Sequence, residues 1–408
     1  MDLLTPLLAA AIATAPVPPP VEAPHPQDAA LAARVDRVLE RAVAEGRIVG
    51  AVVVVARDGR IVHARAAGLA DREAGRPMTV DTPFRLASMT KPVVSVALMR
   101  LVEQGRLRLD DPVTRWLPGF RPRLADGSEP VVALHHLLTH TSGLGYGFQE
   151  PEDGPYHRLG VSDGLDHAGI DLDENLQRLA RAPLHFAPGT AWRYSLGIDV
   201  LGAVIERASG RSLPEAVAQL VTGPLGMLDT GFVAVDPGAL AVPYADGAPA
   251  PVRMPAEIAV PLPAEIGHAV RFAPDRAADR SAFPSGGGGM VGTAGDFVRL
   301  LEAVRSGGGA LLRPETVAQM RRDQVGAQAQ TQGPGWGFGY GWAVLEDPAA
   351  AGTPQHRGTL QWGGAYGHSW FVDPVAGLSV VALTNTAFEG MSGAFPAEVR
   401  DAVYGMAP

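Results

Sequence analysis

Residues 84–103 read FRLASMTKPVVSVALMRLVE, a serine and a lysine placed at the head of a long apolar run. The apolar spacing after Lys91 is that of a helix, predicted over residues 88–104. Positions three apart share a helix face, so the Ser88 hydroxyl and the Lys91 amine can meet. Near a helix N-terminus, free N–H groups and the helix dipole favour developing negative charge. Pro92 is compatible with this, because a first helical turn has no N–H partner to lose. A serine hydroxyl is a weak nucleophile until a neighbouring base takes its proton. A lysine amine is ordinarily protonated at neutral pH, so such a pair needs burial or nearby positive charge that favours the neutral amine.

The chain carries 34 Lys and Arg residues, and Lys91 is the one lysine among them. A GC-rich coding bias accounts for arginine replacing lysine in general. It does not account for one lysine surviving. Arginine cannot be deprotonated in a protein, whereas lysine can act as a base. There are 14 serines in 408 residues, so a serine three places before the sole lysine is an uncommon accident.

Two further segments carry candidate chemistry. WRYSLGIDVLGAVIERASG, residues 192–210, places Tyr194 just before a second amphipathic helix. A phenol beside a lysine can share a proton with it. LQWGGAYGHSWFVDP, residues 360–374, reads as a glycine-rich strand edge. Glycines there allow a ligand to approach the backbone, whose N–H groups can face a carbonyl oxygen.

Around these segments, residues 28–45 have the pattern of an amphipathic helix. GAVVVVA (50–56), the turn Arg57-Asp58-Gly59-Arg60 and residues 61–67 read as a hairpin. Strands are predicted at 342–345, 360–363, 369–372 and 378–384, with a closing helix at 395–404. Helical patterns occupy 134–138, 172–182, 198–209 and 213–220. Residues 238–289 are rich in Pro, Ala and Gly and are expected to form wrapping loops and short strands. Strands at both ends with a helical middle predict one sheet assembled from both ends of the chain.

Composition excludes several classes. Apolar residues make up 46% and charged residues 19%, enough for a sizeable core in one two-lobed unit or two domains. The net charge is −9 without basic blocks, so nucleic acid is not an expected partner. The absence of cysteine excludes thiolate chemistry. The apolar stretch MDLLTPLLAAAIATAPVPPP (1–20) lacks a positive n-region and is too short to span a bilayer. It is read as a tail on a cytoplasmic protein, with a periplasmic or secreted protein as the alternative.

Two motifs compete with Ser88. GVSDG (160–164) matches the nucleophile elbow G-x-S-x-G, but no apolar strand precedes Ser162, and the chain lacks an alternating βα series. His135, His136 and His140 in HHLLTHTSGL are expected to end a helix in a turn, satisfied locally, rather than to bind metal.

Together the residues resemble the serine β-lactamase and penicillin-binding-protein superfamily, and most closely its class C-like esterase branch, the family VIII carboxylesterases. The likeness spans roughly residues 31–404 and rests on five ordered motifs: FRLASMTKP, LLTHTSGL (137–144), FAPGTAWRYS (186–195), GGGGMVGTAGDFVRL (286–300) and WGGAYGHSWFVDP (362–374). The resemblance implies an α+β fold, an antiparallel sheet flanked by helices with an inserted, mainly helical domain. The expected division is a tail at 1–28, a sheet domain at 29–82 plus 290–408, and a helical domain at 83–289.

It also implies Ser88 as the acylated serine, Lys91 and Tyr194 as its base and acid, and N–H groups of Ser88 and Ala365 as the oxyanion hole. Trp362, Gly363, Gly364, Leu196 and Tyr146 are expected at the substrate. No metal or organic cofactor is implied. Two departures point away from β-lactams. Leu196 stands where Tyr-x-Asn has its amide, and Trp362 stands where Lys-Thr-Gly has its cation. A neutral, apolar pocket suits small uncharged esters. A weak β-lactam hydrolase, a D-amino-acid peptidase or transesterase, and a non-catalytic binding protein of the same fold are the alternatives.

Overall fold

In GAVVVVAR, which forms strand β1 (Gly50–Arg57), almost every residue is buried. Side chains alternate between the two faces of a strand, so an unbroken apolar run must be covered on both sides. A computed structural model of the protein describes residues 26–406 except 168, 265, 327, 328 and 330. The N-terminal apolar stretch therefore lies outside the described residues. The hairpin partner is β2 (Arg60–Asp71). Both central turn residues, Asp58 at φ 48° and Gly59 at φ 85°, are left-handed, as a tight hairpin matching strand twist requires.

With β3 (Arg76–Pro77), these strands meet five from the far end of the chain: β4 (Trp336–Phe338), β5 (Ala343–Leu345), β6 (Leu360–Gly364), β7 (His368–Asp373) and β8 (Leu378–Thr384). The sheet has eight strands in the order β4-β5-β6-β7-β8-β1-β2-β3, each pair antiparallel. The two ends of the chain join along β1 and β8, from Ala51 opposite Thr384 to Arg57 opposite Leu378.

Helices cover both faces. On the outer face, α1 (Pro26–Ala44) and the C-terminal helix pack on Ala51, Val53, Val55, Val380 and Ala382. On the inner face, Val52, Val54, Val381 and Leu383 enter a larger core. That core includes α2 (Thr90–Glu103), which is buried nearly all round, as expected of a central helix. It also takes in α3 (Leu134–Leu138), α4 (Leu172–Arg181), α5 (Gly197–Ser209) and α6 (Ala294–Arg305). The C-terminal helix of the outer face is α7 (Ala394–Tyr404).

Residues 238–289 form the expected loops with short strands, among them Ile258–Pro261 and Ala269–Phe272. Several features differ from expectation, among them short helices at Pro155–Leu159 and Pro314–Met320. Ser88 lies in a 3-10 turn, Ala87–Met89, ahead of α2 and not within it. The helix at Leu213–Val217 loosens into a π turn over Ala218–Thr222. The glycine-rich stretch before Gly341 supplies an additional strand, β4. Among the described residues, no helix is long and apolar enough to cross a membrane.

Candidate active site

The Ser88 turn is fixed by backbone on both sides. Phe84–Arg85 pairs antiparallel with Val291–Gly292. The Leu86 N–H donates to Met290 O at 2.8 Å, and the Met290 N–H donates to Thr90 Oγ1 at 3.1 Å. Ala87 adopts φ 46°, a left-handed conformation that alanine rarely takes. Such strain persists only where the surroundings over-determine it.

The β6–β7 hairpin then presses on the turn. A Cβ at Gly364 would lie 2.4 Å from Leu86 O, so only glycine allows this approach. His368 Nε2 donates to Arg85 O at 2.8 Å, and burial holds this imidazole neutral by pushing its pKa down to about 4. The hairpin tip thereby brings Ala365 to the cavity that Ser88 lines.

Three side chains converge at the serine. Tyr194 Oη donates to Ser88 Oγ at 2.8 Å, and Lys91 Nζ approaches the same oxygen at 3.2 Å. Lys91 is 1% exposed, and its Nζ also donates to Gly287 O at 2.7 Å. The amine lies 4.6 Å from the centre of the Tyr194 ring and 5.2 Å from that of Tyr146. Trp362 Nε1 donates to Tyr194 Oη at 3.3 Å. An indole N–H can only donate, so it stabilises negative charge on the phenol oxygen. The amine nitrogen and the phenol oxygen thus both lie within hydrogen-bond reach of the serine oxygen. Burial holds Tyr146 as a neutral phenol, a wall of the site and not a base.

The base of this cluster is acidic and unforeseen from sequence. Asp199 on α5 is buried and accepts from Ser285 Oγ at 2.6 Å. Burial raises its pKa, while the Ser285 bond and Lys91 oppose that rise. Gly287 is wedged beside it, with an added Cβ falling 2.3 Å from Asp199 Oδ2. The only sequence signal for this layer was the four-glycine run at 286–289.

Residues 35–404 match the family model described as Beta-lactamase. The chain belongs to the beta-lactamase family. It is 64% identical over 377 residues to Esterase EstB of Burkholderia gladioli, covering 92% of this chain and 96% of that protein. It superposes with TM-score 0.92 on the solved structure of EstCE1, described as a hydrolase with promiscuous acyltransferase activity. That pair is 53% identical and covers 93% and 99% of the two chains. A simvastatin synthase variant from Aspergillus terreus shares the fold, with TM-score 0.73 at 24% identity and coverage of 92% and 95%.

In this beta-lactamase-family chain, Trp362, Gly363, Ala365 and Tyr146 line the cavity with Ser88. Leu196 and Gly364, expected at the substrate, do not line it. Leu196 is fully buried at the N-terminus of α5, where it joins the core, and Gly364 is spent on the contact with Leu86.

Ser162 is buried in a loop. Its hydroxyl donates to Asp166 and accepts from the Gly164 N–H at 3.1 Å, with no imidazole among these partners. His136 is bonded locally, accepting from the Ala133 N–H at 3.2 Å, whereas His135 Nδ1 meets Tyr340 Oη, distant in sequence, at 3.2 Å. His140 departs from expectation. Its Nδ1 meets Ser195 Oγ at 3.1 Å, but its buried Nε2 has no partner among the described residues. The ring is instead packed 4.9 Å from Tyr194, and burial, reinforced by Lys91, keeps it neutral.

The aspartate of GVSDG has a visible task. Asp163 accepts from the N–H groups of Gly147 at 2.7 Å and Phe148 at 2.8 Å, and so anchors the wall that carries Tyr146. Burial pushes its carboxyl up to about 7; the two N–H bonds oppose this, and Asp166 and Asp199 add to it. An acid raised above its unfolded value contributes stability that is complete below that value and lost as pH rises through the folded one. Measured by urea unfolding, the stability of wild type relative to Asp163→Asn is therefore expected to fall between pH 4 and pH 8, by up to about 4 kcal/mol. A pH-independent difference would show that this carboxyl ionises normally.

Proposed function

We propose that this serine ester hydrolase of the beta-lactamase family cleaves short-chain carboxylic esters through an acyl-enzyme on Ser88. The observation that carries this is the convergence of the sole lysine and of Tyr194 on one serine oxygen, at 3.2 and 2.8 Å. Ser88 Oγ attacks the ester carbonyl while its proton passes to the Lys91/Tyr194 pair. The carbonyl oxygen becomes an oxyanion facing the N–H groups of Ser88 and Ala365. Tyr194 then protonates the leaving alkoxide. Water gives its proton to the same pair and attacks the acyl-enzyme, releasing the acid and restoring the serine.

Uncharged esters are favoured over β-lactams by the cavity wall. Among the described residues its one cation is Arg400, already held by Asp401 at 2.8 Å. No free cation awaits a lactam carboxylate there, and Trp362 spends its N–H on Tyr194. A panel of short p-nitrophenyl esters, nitrocefin and D-amino-acid amides tests the proposal. The esters should have the highest kcat/KM, and a preference for either other class would reassign the chain. Ser162→Ala should keep kcat/KM for p-nitrophenyl acetate within about threefold of wild type, since it removes only two local hydrogen bonds of about 1 kcal/mol each, away from Ser88. A loss near that of a nucleophile variant would move the chemistry to Ser162.

A further inference from the structure

The cavity at Ser88 encloses about 1000 Å³, the upper end of the roughly 300–1,000 Å³ that accommodates whole drug-sized ligands. A short ester occupies a small part of it. Around the serine the walls are aromatic: Tyr146, Phe148, Tyr194 and Trp362. The cavity does not end there. On the outer sheet face, Gly363 on β6 stands opposite Ser369 on β7, and Ser369 stands opposite Ala382 on β8. This row of small residues forms a low sill beside Met391. Beyond it the lining continues over Phe371 and Val380 of the sheet and Pro396 and Val399 of α7. Phe371, Val380, Ala382 and Val399 belong to the outer core, so α7 leaves part of that core open to the cavity.

We infer that this arm, between the outer sheet face and α7, binds a medium-length alkyl chain of the ester, while the opposite side of the scissile bond stays short against the aromatic walls. The inference rests on the Ser88 ester-hydrolase proposal and deepens it. The lining explains the chemistry. Its deep residues are apolar, and its one cation among the described residues, Arg400, is bound to Asp401. A charged tail would therefore lose its hydration without gaining a partner. An alkyl chain gains from every methylene it buries, by up to about fourfold in kcat/KM each.

Both the acyl and the alcohol half of an ester can carry the alkyl chain that fills the arm, and two substrate series on the full-length protein separate these. One is p-nitrophenyl esters from acetate to octanoate; the other is alkyl acetates from ethyl to octyl. In one series kcat/KM should rise at least tenfold with length, and in the other it should stay flat or fall. Ser369→Phe, which raises the sill, should cut the long-to-short ratio at least tenfold in the responsive series. A fall with length in both series of the wild-type protein overturns the arm, whether or not the variant folds. So does an unchanged ratio in folded Ser369→Phe. Short-ester turnover that survives Ser88→Ala overturns the Ser88 proposal instead, whereas Ser88-dependent turnover without any gain from length removes the arm alone.

Discussion

Lys91→Arg is expected to lower kcat/KM for p-nitrophenyl acetate by roughly a thousandfold or more, the upper range for losing a general base. The substitution places a permanent positive charge at a position that is 1% exposed and bonded to Gly287 O. It removes one property, the ability to take a proton. If Lys91 acted only by its charge, arginine would serve nearly as well, and activity would remain within about tenfold. That result would leave Tyr194, aided by the Trp362 N–H, as the sole base. Arginine is bulkier, so circular dichroism and a thermal melt must accompany the kinetics. Lys91→Met, of similar length and without charge, is the second variant. It should be as inactive as arginine if proton transfer is what matters. The survival of one lysine in a chain with 34 cationic side chains has a physical reason under this outcome.

How much of this was legible beforehand follows from which forces leave a trace in sequence. The unbroken apolar run of β1 announced a strand buried on both faces, and the strand patterns near the C-terminus announced its neighbours. The spacing of Ser88 and Lys91 foretold their meeting, although a 3-10 turn and not an α-helix brings it about. Strand β4 was missed because Trp336, Gly337 and Phe338 sit in a run of glycines that hides any alternation. Leu196 was misplaced for another reason. A motif position carries the family's geometry only if the residue type can use it, and a leucine beginning α5 gains more from the core than from the cavity. Asp199 and Asp163 left no periodic signal at all. Their environments are made by segments far apart in sequence, such as Ser285 with Asp199 and Gly147 with Asp163.

Ser88→Ala is expected to reduce ester turnover by roughly 10⁴–10⁶-fold, the scale seen when a covalent nucleophile is removed from a working site. The oxyanion N–H groups and the binding walls would remain, so a small residual rate above buffer is consistent with the proposal. The decisive measurement is covalent. Wild-type protein treated with diethyl p-nitrophenyl phosphate should gain a single diethylphosphoryl mass, mapped by peptide sequencing to residues 84–103, and Ser88→Ala should gain none. Stability gives an independent check that the loss is chemical. Tyr194 and Lys91 each lose one acceptor in the variant, but the serine lines an open cavity where water can replace it. The melting temperature should therefore shift by only a few degrees, as about 1 kcal/mol would give in a chain of this size. Labelling of Ser88→Ala at Ser162 would place the nucleophile in the loop that bonds Asp166. Among the described residues, the hydrogen-bond partners of the Ser162 hydroxyl are Asp166 and the Gly164 N–H, with no imidazole or amine. Retained labelling there would require an activation that the surroundings of Ser162 do not contain, and for that reason the absence of an adduct in Ser88→Ala is the expected result.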